Sequence, residues 1–374
     1  MQTAAGKAAG SQPQERDVLL PVTVRDKHGA LVENLQKSDF TLTVDGHAQA
    51  IDSLTHNSNL PLQLGLLVDT SRYVMNAMDA ERKAAGKFVD QMLPADAGTT
   101  TTAAPAGGGG AAPNPKNQAF LIHFDREVEL LQDFTGSRQK LHNELDEMGP
   151  TSQMDYERDG PETTGDERQR PEARQGSAQL YDAIYLASNE LMKPKHGPKA
   201  LILFSDGVDR GSKESMTDAL DAAERANVTI FAVYLEGQQD RLSSPGGMGR
   251  RGGMGGGYPG GYPGGYPGGY PGGYPNGGGG GRPTGKVAVD GRKTMELFAV
   301  RTGGRYFNTK KKEDLDEVYG LIADELRGQY VLAFTPDKSA ADGAFHKVAL
   351  TTGKSDLTVV TRDGFFAPGG DDSK

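Results

Sequence analysis

Apolar positions follow two different rhythms along this chain. Residues 18–24 alternate apolar and polar and are rich in β-branched side chains. Residues 40–44, Phe-Thr-Leu-Thr-Val, do the same and run into Asp45-Gly46, a pair suited to the left-handed centre of a two-residue hairpin turn. From Pro61 onward the rhythm changes. Residues 62–68, 119–124, 200–204 and 228–234 are near-continuous apolar runs, which mark strands covered on both faces. Between and after them, residues 75–92, 137–148, 179–192, 215–226, 292–301 and 313–326 carry helical spacing. Strand and helix alternate, so the body is predicted as α/β: a Rossmann-like, open, mostly parallel sheet with helices on both faces. Past Arg327 the β rhythm returns at 329–334, 346–351 and 357–360, with Asp363-Gly364 read as a turn. The first and last β-segments are expected to form one β-module flanking the α/β body.

Composition shortens the folded part. Glycine is 52 of 374 residues, about 14% and twice the usual share, and it is concentrated rather than spread. Three inserts interrupt the body: a Thr/Ala/Gly/Pro run at 94–117, a densely charged stretch at 151–174, and 238–285, where Tyr-Pro-Gly-Gly repeats at a period of four. None holds enough apolar surface to offset the entropy of ordering it, so all three are expected to be disordered. The resulting division is a tail at 1–16, a β-module at 17–57, the body at 58–327, a returning β-segment at 328–367, and a tail at 368–374. In a parallel sheet the chain leaves each strand at the carboxyl edge, which places the 151–174 and 238–285 inserts there and the 94–117 insert on the opposite side.

Charge and cysteine content remove several function classes. Lys+Arg 41 against Asp+Glu 50 leaves a net charge of −9, with no basic footprint for nucleic acid. Mean hydropathy is −0.57, and no apolar run approaches the ~20 residues of a transmembrane helix. With Cys 0, disulfides, thiolate nucleophiles and Cys-ligated zinc are all excluded. The start, Met1-Gln2-Thr3-Ala4-Ala5-Gly6, shows neither the basic nor the apolar region of a signal peptide.

Candidate chemistry lies at two strand ends. The first apolar strand runs into Val68-Asp69-Thr70-Ser71-Arg72-Tyr73 and the third into Phe204-Ser205-Asp206-Gly207. Both put an aspartate at the carboxyl edge, the usual ligand position of open α/β sheets. Two carboxylates and a hydroxyl suit a hard cation such as Mg²⁺, which takes octahedral oxygen ligands and keeps several waters. The seven histidines, His28, His47, His56, His123, His142, His196 and His346, have no ligand spacing. No Gly-x-Ser-x-Gly elbow occurs, and the P-loop-like run at 280–286 is followed by Val287 where a hydroxyl is needed.

The segment Leu66-Leu67-Val68-Asp69-Thr70-Ser71 resembles the first motif, Asp-x-Ser-x-Ser, of the von Willebrand factor A (VWA) domain, whose adhesion site binds Mg²⁺. Leu201-Ile202-Leu203-Phe204-Ser205-Asp206-Gly207 resembles its third motif, and Gly176-Ser177-Ala178-Gln179-Leu180-Tyr181-Asp182 the stretch carrying its second. The flanks are similar to bacterial "VWFA-related" proteins of the Acidobacteria type: Val22-Thr23-Val24-Arg25-Asp26, Ser38-Asp39-Phe40 and Val44-Asp45-Gly46 before the body, Gly328-Gln329-Tyr330-Val331-Leu332 and Arg362-Asp363-Gly364-Phe365 after it. The likeness runs from about residue 19 to 366, inserts apart.

Two departures bear on the metal. Where the resemblance implies a second serine the chain has Tyr73, and where it implies a threonine it has Ala178, with Ser177 one residue off. The implied metal set is therefore Asp69, Ser71, Asp206 and Ser177, a degenerate site at which Mg²⁺ is weak or lost. The resemblance implies a non-enzymatic protein-binding or adhesion module, secreted or periplasmic, that presents the carboxyl edge to a protein or cell-surface ligand. Tyr73 and Asp209 at that edge and Tyr258, Tyr262, Tyr266, Tyr270 and Tyr274 of the repeat are candidate partner contacts. The other reading is an assembly scaffold whose inserts make the contacts. Oligomeric state is left open.

Overall fold

The structure, a computed structural model, describes residues 18–56, 60–96, 114, 116–149, 178–236, 290–309, 314–336 and 343–367. Both tails, most of the three inserts, Ser177 and the five repeat tyrosines Tyr258, Tyr262, Tyr266, Tyr270 and Tyr274 lie outside the described residues.

The α/β body is a six-stranded sheet. Its strands are β5 (Gln63–Asp69), β6 (Gln118–Phe124), β7 (Val128–Thr135), β8 (Lys199–Ser205), β9 (Val228–Leu235) and β10 (Tyr306–Thr309). They lie in the order β10-β9-β8-β5-β6-β7. All neighbours are parallel except β7, which runs antiparallel to β6 at the edge. The apolar runs follow from this arrangement, since every residue of β5, β8 and β9 is buried. The edge strands β7 and β10 lacked such runs and were not predicted. β7 has no buried residue, only half-buried and exposed ones, as befits an edge strand.

Among the described residues, six helices cover the sheet: α1 (Met78–Met92), α2 (Arg138–Glu147), α3 (Leu180–Leu186), α4 (Met216–Arg225), α5 (Gly291–Arg301) and α6 (Leu315–Gly328). α3 continues as a π-helical segment, Ala187–Met192. α1, α2 and α6 pack on one face, against Leu64, Leu66 and Val68 of β5. α3, α4 and α5 pack on the other, against Leu67, Phe120 and Leu203. Local signals set the helix starts. Ser215 and Asp218 form a reciprocal capping box before α4, and Ser137 Oγ accepts from the Lys140 N–H at the start of α2.

The β-module interleaves both ends of the chain. β1 (Val18–Asp26) pairs with β11 (Tyr330–Phe334) and β13 (Leu357–Val360), and β11 pairs with β4 (Ser53–His56). In the second sheet, β12 (Phe345–Thr352) joins β2 (Phe40–Val44) to β14 (Gly364–Phe366), with β3 (His47–Gln49) outside β2. Val18, Leu20, Val22 and Val24 alternate inward to share one core with Leu42, Leu332, Val348, Leu350 and Phe365. The β2–β3 turn is as expected: Asp45 and Gly46 both have positive φ, 50° and 82°. Asp363-Gly364 is not a turn, because Gly364 opens β14 and pairs with Lys347. The whole α/β body is thus inserted between β4 and β11. No helix among the described residues is long and apolar enough to cross a membrane.

Candidate functional site

The strand order reverses at β5, which has β8 on one side and β6 on the other, so the switch point of the sheet lies at the carboxyl ends of these strands. Asp69 is the last residue of β5 and is fully buried. Parallel registry sets Val68 opposite Phe204, which brings Ser205 and Asp206 beside it.

Asp69 is held by this chain on both oxygens. Its Oδ1 accepts the Ser71 N–H at 2.9 Å, a side-chain turn that folds the loop back over the strand end. Its Oδ2 accepts the Ser205 hydroxyl at 2.7 Å, while Ser205 Oγ accepts the Gly207 N–H at 3.0 Å. Burial, and then the neighbouring Asp206 carboxylate, push Asp69 up to about 6 from an ordinary 3.8. The Ser71 hydroxyl is buried beside the Asp69 carboxylate, and its proximity opposes part of that rise.

Asp206 is also committed. Arg210 grips it with both ends of its fork, Nη1 to Oδ1 at 3.1 Å and Nη2 to Oδ2 at 2.8 Å, and the Val208 N–H donates to Oδ1 at 3.0 Å. The guanidinium lies over the Tyr73 ring, 3.8 Å from its centroid. Tyr73 is buried, and Arg72 approaches it as well, at 5.2 Å. The Arg210 N–H donates to the Ala178 carbonyl at 2.9 Å, tying the β8 loop to the start of α3.

Asp209 turns inward to its own loop. Its carboxylate accepts the Ser212 hydroxyl at 2.5 Å and the backbone N–H groups of Tyr181, Gly211 and Ser212. On the other side of β5, Thr70 donates its N–H to the Phe124 carbonyl at 3.0 Å, and its hydroxyl lies 3.4 Å from His123 Nδ1. That nitrogen also faces the Gly149 carbonyl at 3.2 Å, and Nε2 faces Glu129 at 3.0 Å. A carbonyl only accepts, so the Gly149 contact is a hydrogen bond only in the tautomer with the proton on Nδ1, which then offers Thr70 no lone pair.

The structure therefore brings together Asp69, Ser71, Tyr73, Asp206 and Asp209, with Ser177 outside the described residues. Sequence reasoning missed Arg210 and Ser205. Arg210 follows Asp206 by four residues in a loop, where no periodicity pairs them. The available hint was that the resemblance implies hydroxyls where the chain has Tyr73 and Ala178, while two buried carboxylates still need a cation.

The residues described do not fit a Mg²⁺ ion. All four carboxylate oxygens already accept hydrogen bonds from the chain, and a guanidinium fixed against the Tyr73 ring face occupies Asp206. That leaves the Ser71 hydroxyl as the one further side-chain oxygen beside Asp69, against the octahedral set the ion requires. Among the described residues no group of three acidic or histidine side chains could hold a metal.

No family model and no curated protein matches the chain. Solved structures do. One is proximal thread matrix protein 1 from the mussel byssus, in a form described as having a zinc-occupied MIDAS motif, at 12% identity and TM-score 0.39, covering 71% of this chain and 48% of that one. Another is the vWF domain of the type V pilus tip protein Mfa5 from Porphyromonas gingivalis, at 18% identity and TM-score 0.27, covering 42% and 40%. A third is an aerotolerance-related membrane protein from Bacteroides fragilis, at 11% identity and TM-score 0.37, covering 71% and 98%. The chain spans about half the length of the mussel protein. In its strand order, its single antiparallel edge and the aspartate that ends its central strand, the α/β body has a VWA-like fold.

Proposed function

We propose that this protein is a non-enzymatic, VWA-type protein-binding module that presents the carboxyl edge of its six-stranded sheet to a protein or cell-surface partner outside the cytoplasm, with Mg²⁺ weakly held or lost. The observation that carries this reading is the pre-set edge itself. The loops after β5 and β8 are fixed by their own side chains, so the surface they offer costs little ordering on binding. Catalysis finds no support among the described groups. Thr70 and Ser71 are both buried, which keeps their hydroxyls away from a substrate.

A second reading, a scaffold whose inserts make the contacts, is favoured by where those inserts attach. Gly149 lies against His123 at the end of β6, and Ala178 accepts from Arg210, so both ends of 150–177 meet at this edge. Glu236 follows β9 and pairs with Arg292 at 3.8 Å, which brings the ends of 237–289 to the same edge.

One experiment separates the readings. Binding of the full chain to immobilised extracellular-matrix proteins and to bacterial cell envelopes is measured for wild type, a 238–285 deletion, and Arg72→Glu/Met75→Glu. Both substituted residues are exposed in the loop that follows Asp69. Loss in the charge-reversed edge with retention in the deletion supports the edge; the opposite pattern supports the scaffold. Hydrolysis of a phosphoester panel with Mg²⁺ or Mn²⁺, abolished by Asp69→Ala, would overturn both.

A further inference from the structure

Two carboxylates side by side in a buried edge need positive charge. We propose that Arg210 is the resident cation of this edge, standing in for the divalent ion that the fold family implies, so that the edge is built and held without metal.

The geometry of Arg210 argues for a built-in role. Its side chain is 16% exposed and that of Asp206 2%. The residue is pinned at both ends, by its N–H on the Ala178 carbonyl and by a two-pronged grip on Asp206, with a further Nη1 bond to the Val208 carbonyl at 3.0 Å. A planar guanidinium matches a carboxylate fork and can also lie flat on an aromatic face, whereas a hydrated ion can do neither. Tyr73 supplies that face at 3.8 Å. The tyrosine that stands where the family resemblance implies a metal-ligating hydroxyl is therefore the residue that completes the arginine slot.

Charge arithmetic agrees. With both aspartates ionised, Arg210 brings the cluster from −2 to −1, and the Ser71 N–H and Ser205 hydroxyl stabilise the remaining Asp69 carboxylate. A Mg²⁺ ion added to this set would press a second cation against Asp206, whose oxygens are already taken. It would have to expel the guanidinium from its stacked position first.

The test uses the full chain. Mg²⁺ and Mn²⁺ are titrated calorimetrically into wild type and Asp69→Ala, and thermal unfolding is followed with EDTA and with about 10 mM of each metal. Arg210→Met, which keeps the aliphatic stem over Tyr73 and removes the charge, is unfolded alongside. The expected result is no heat in wild type that Asp69→Ala abolishes, no shift of Tm between metal and EDTA, and a Tm lower by roughly 5–10 °C in Arg210→Met. Heat that survives Asp69→Ala belongs to other acidic segments and leaves the edge closed to metal, as expected. Saturable binding abolished by Asp69→Ala, or an unchanged Tm in Arg210→Met, overturns the proposal. Should Arg210→Met not fold, the wild-type titration decides by itself.

Discussion

Replacing Glu81 by glutamine should change how the stability of this protein depends on pH. Glu81 sits on α1 with no exposed surface, and its Oε1 accepts the hydroxyl of Tyr319 from α6. Oε2 has no partner among the described residues. Burial pushes the carboxyl up to about 8 from an ordinary 4.5, against the opposing pull of the Tyr319 bond. The folded protein therefore keeps a proton that the unfolded chain releases. The group's stabilising contribution is complete below pH 4.5 and is lost as pH rises through about 8. A displacement from 4.5 to about 8 sets a ceiling of about 5 kcal/mol, reached above pH 8. Glutamine carries no charge in either state. The stability of Glu81→Gln relative to wild type should thus climb by about 1.4 kcal/mol per pH unit between roughly pH 5 and 8, about 4 kcal/mol over that range, and level off beyond. Urea unfolding of both proteins at constant ionic strength across pH 4–9 measures this difference directly. Parallel stability curves would refute the reasoning, because they would mean that Glu81 is ionised in the folded protein or already hydrated there.

Three further outcomes follow from single contacts. Ser205→Ala removes the donor to Asp69 Oδ2 and the acceptor of the Gly207 N–H, both buried, and should cost about 2–3 kcal/mol in chemical unfolding. Gly207→Ala should cost at least about 3 kcal/mol and lower Tm, because φ is +71° and a Cβ there would overlap the Gly291 carbonyl. Arg362→Ala should loosen the β-module from the α/β body, since this buried guanidinium bonds the Leu19 carbonyl at 2.8 Å on one side and Asn227 on the other. Faster proteolysis at the β4–β5 and α6–β11 connections, with a loss of about 3 kcal/mol, is the expected readout.

Much of the fold was legible because burial writes itself into the chain. β5, β8 and β9 are covered on both faces, and a strand covered twice must be apolar throughout. The edge strand β7 was not legible, since its residues share one face with water. At the site, Asp69, Ser71 and Asp206 could be placed at one edge from strand ends alone, and the structure puts Asp69 and Asp206 next to each other. Asp209, a candidate partner contact, also organises the loop from Ser212 to Tyr181.

The sequence by itself determined the α/β alternation, the β-segments at both ends and the two aspartates at the strand ends, because these depend on periodicity and on the direction of a parallel strand. It also carried Tyr73 and Ala178, at the positions where the VWA resemblance implies hydroxyls. Only the tertiary structure decided what answers the buried charge. Arg210, Tyr73 and Asp206 meet because the loops after β8 and β5 fold over one edge, and neither loop has a repeat or spacing that encodes the meeting. Long-range electrostatic pairing depends on distance in space, and a sequence pattern records only distance along the chain.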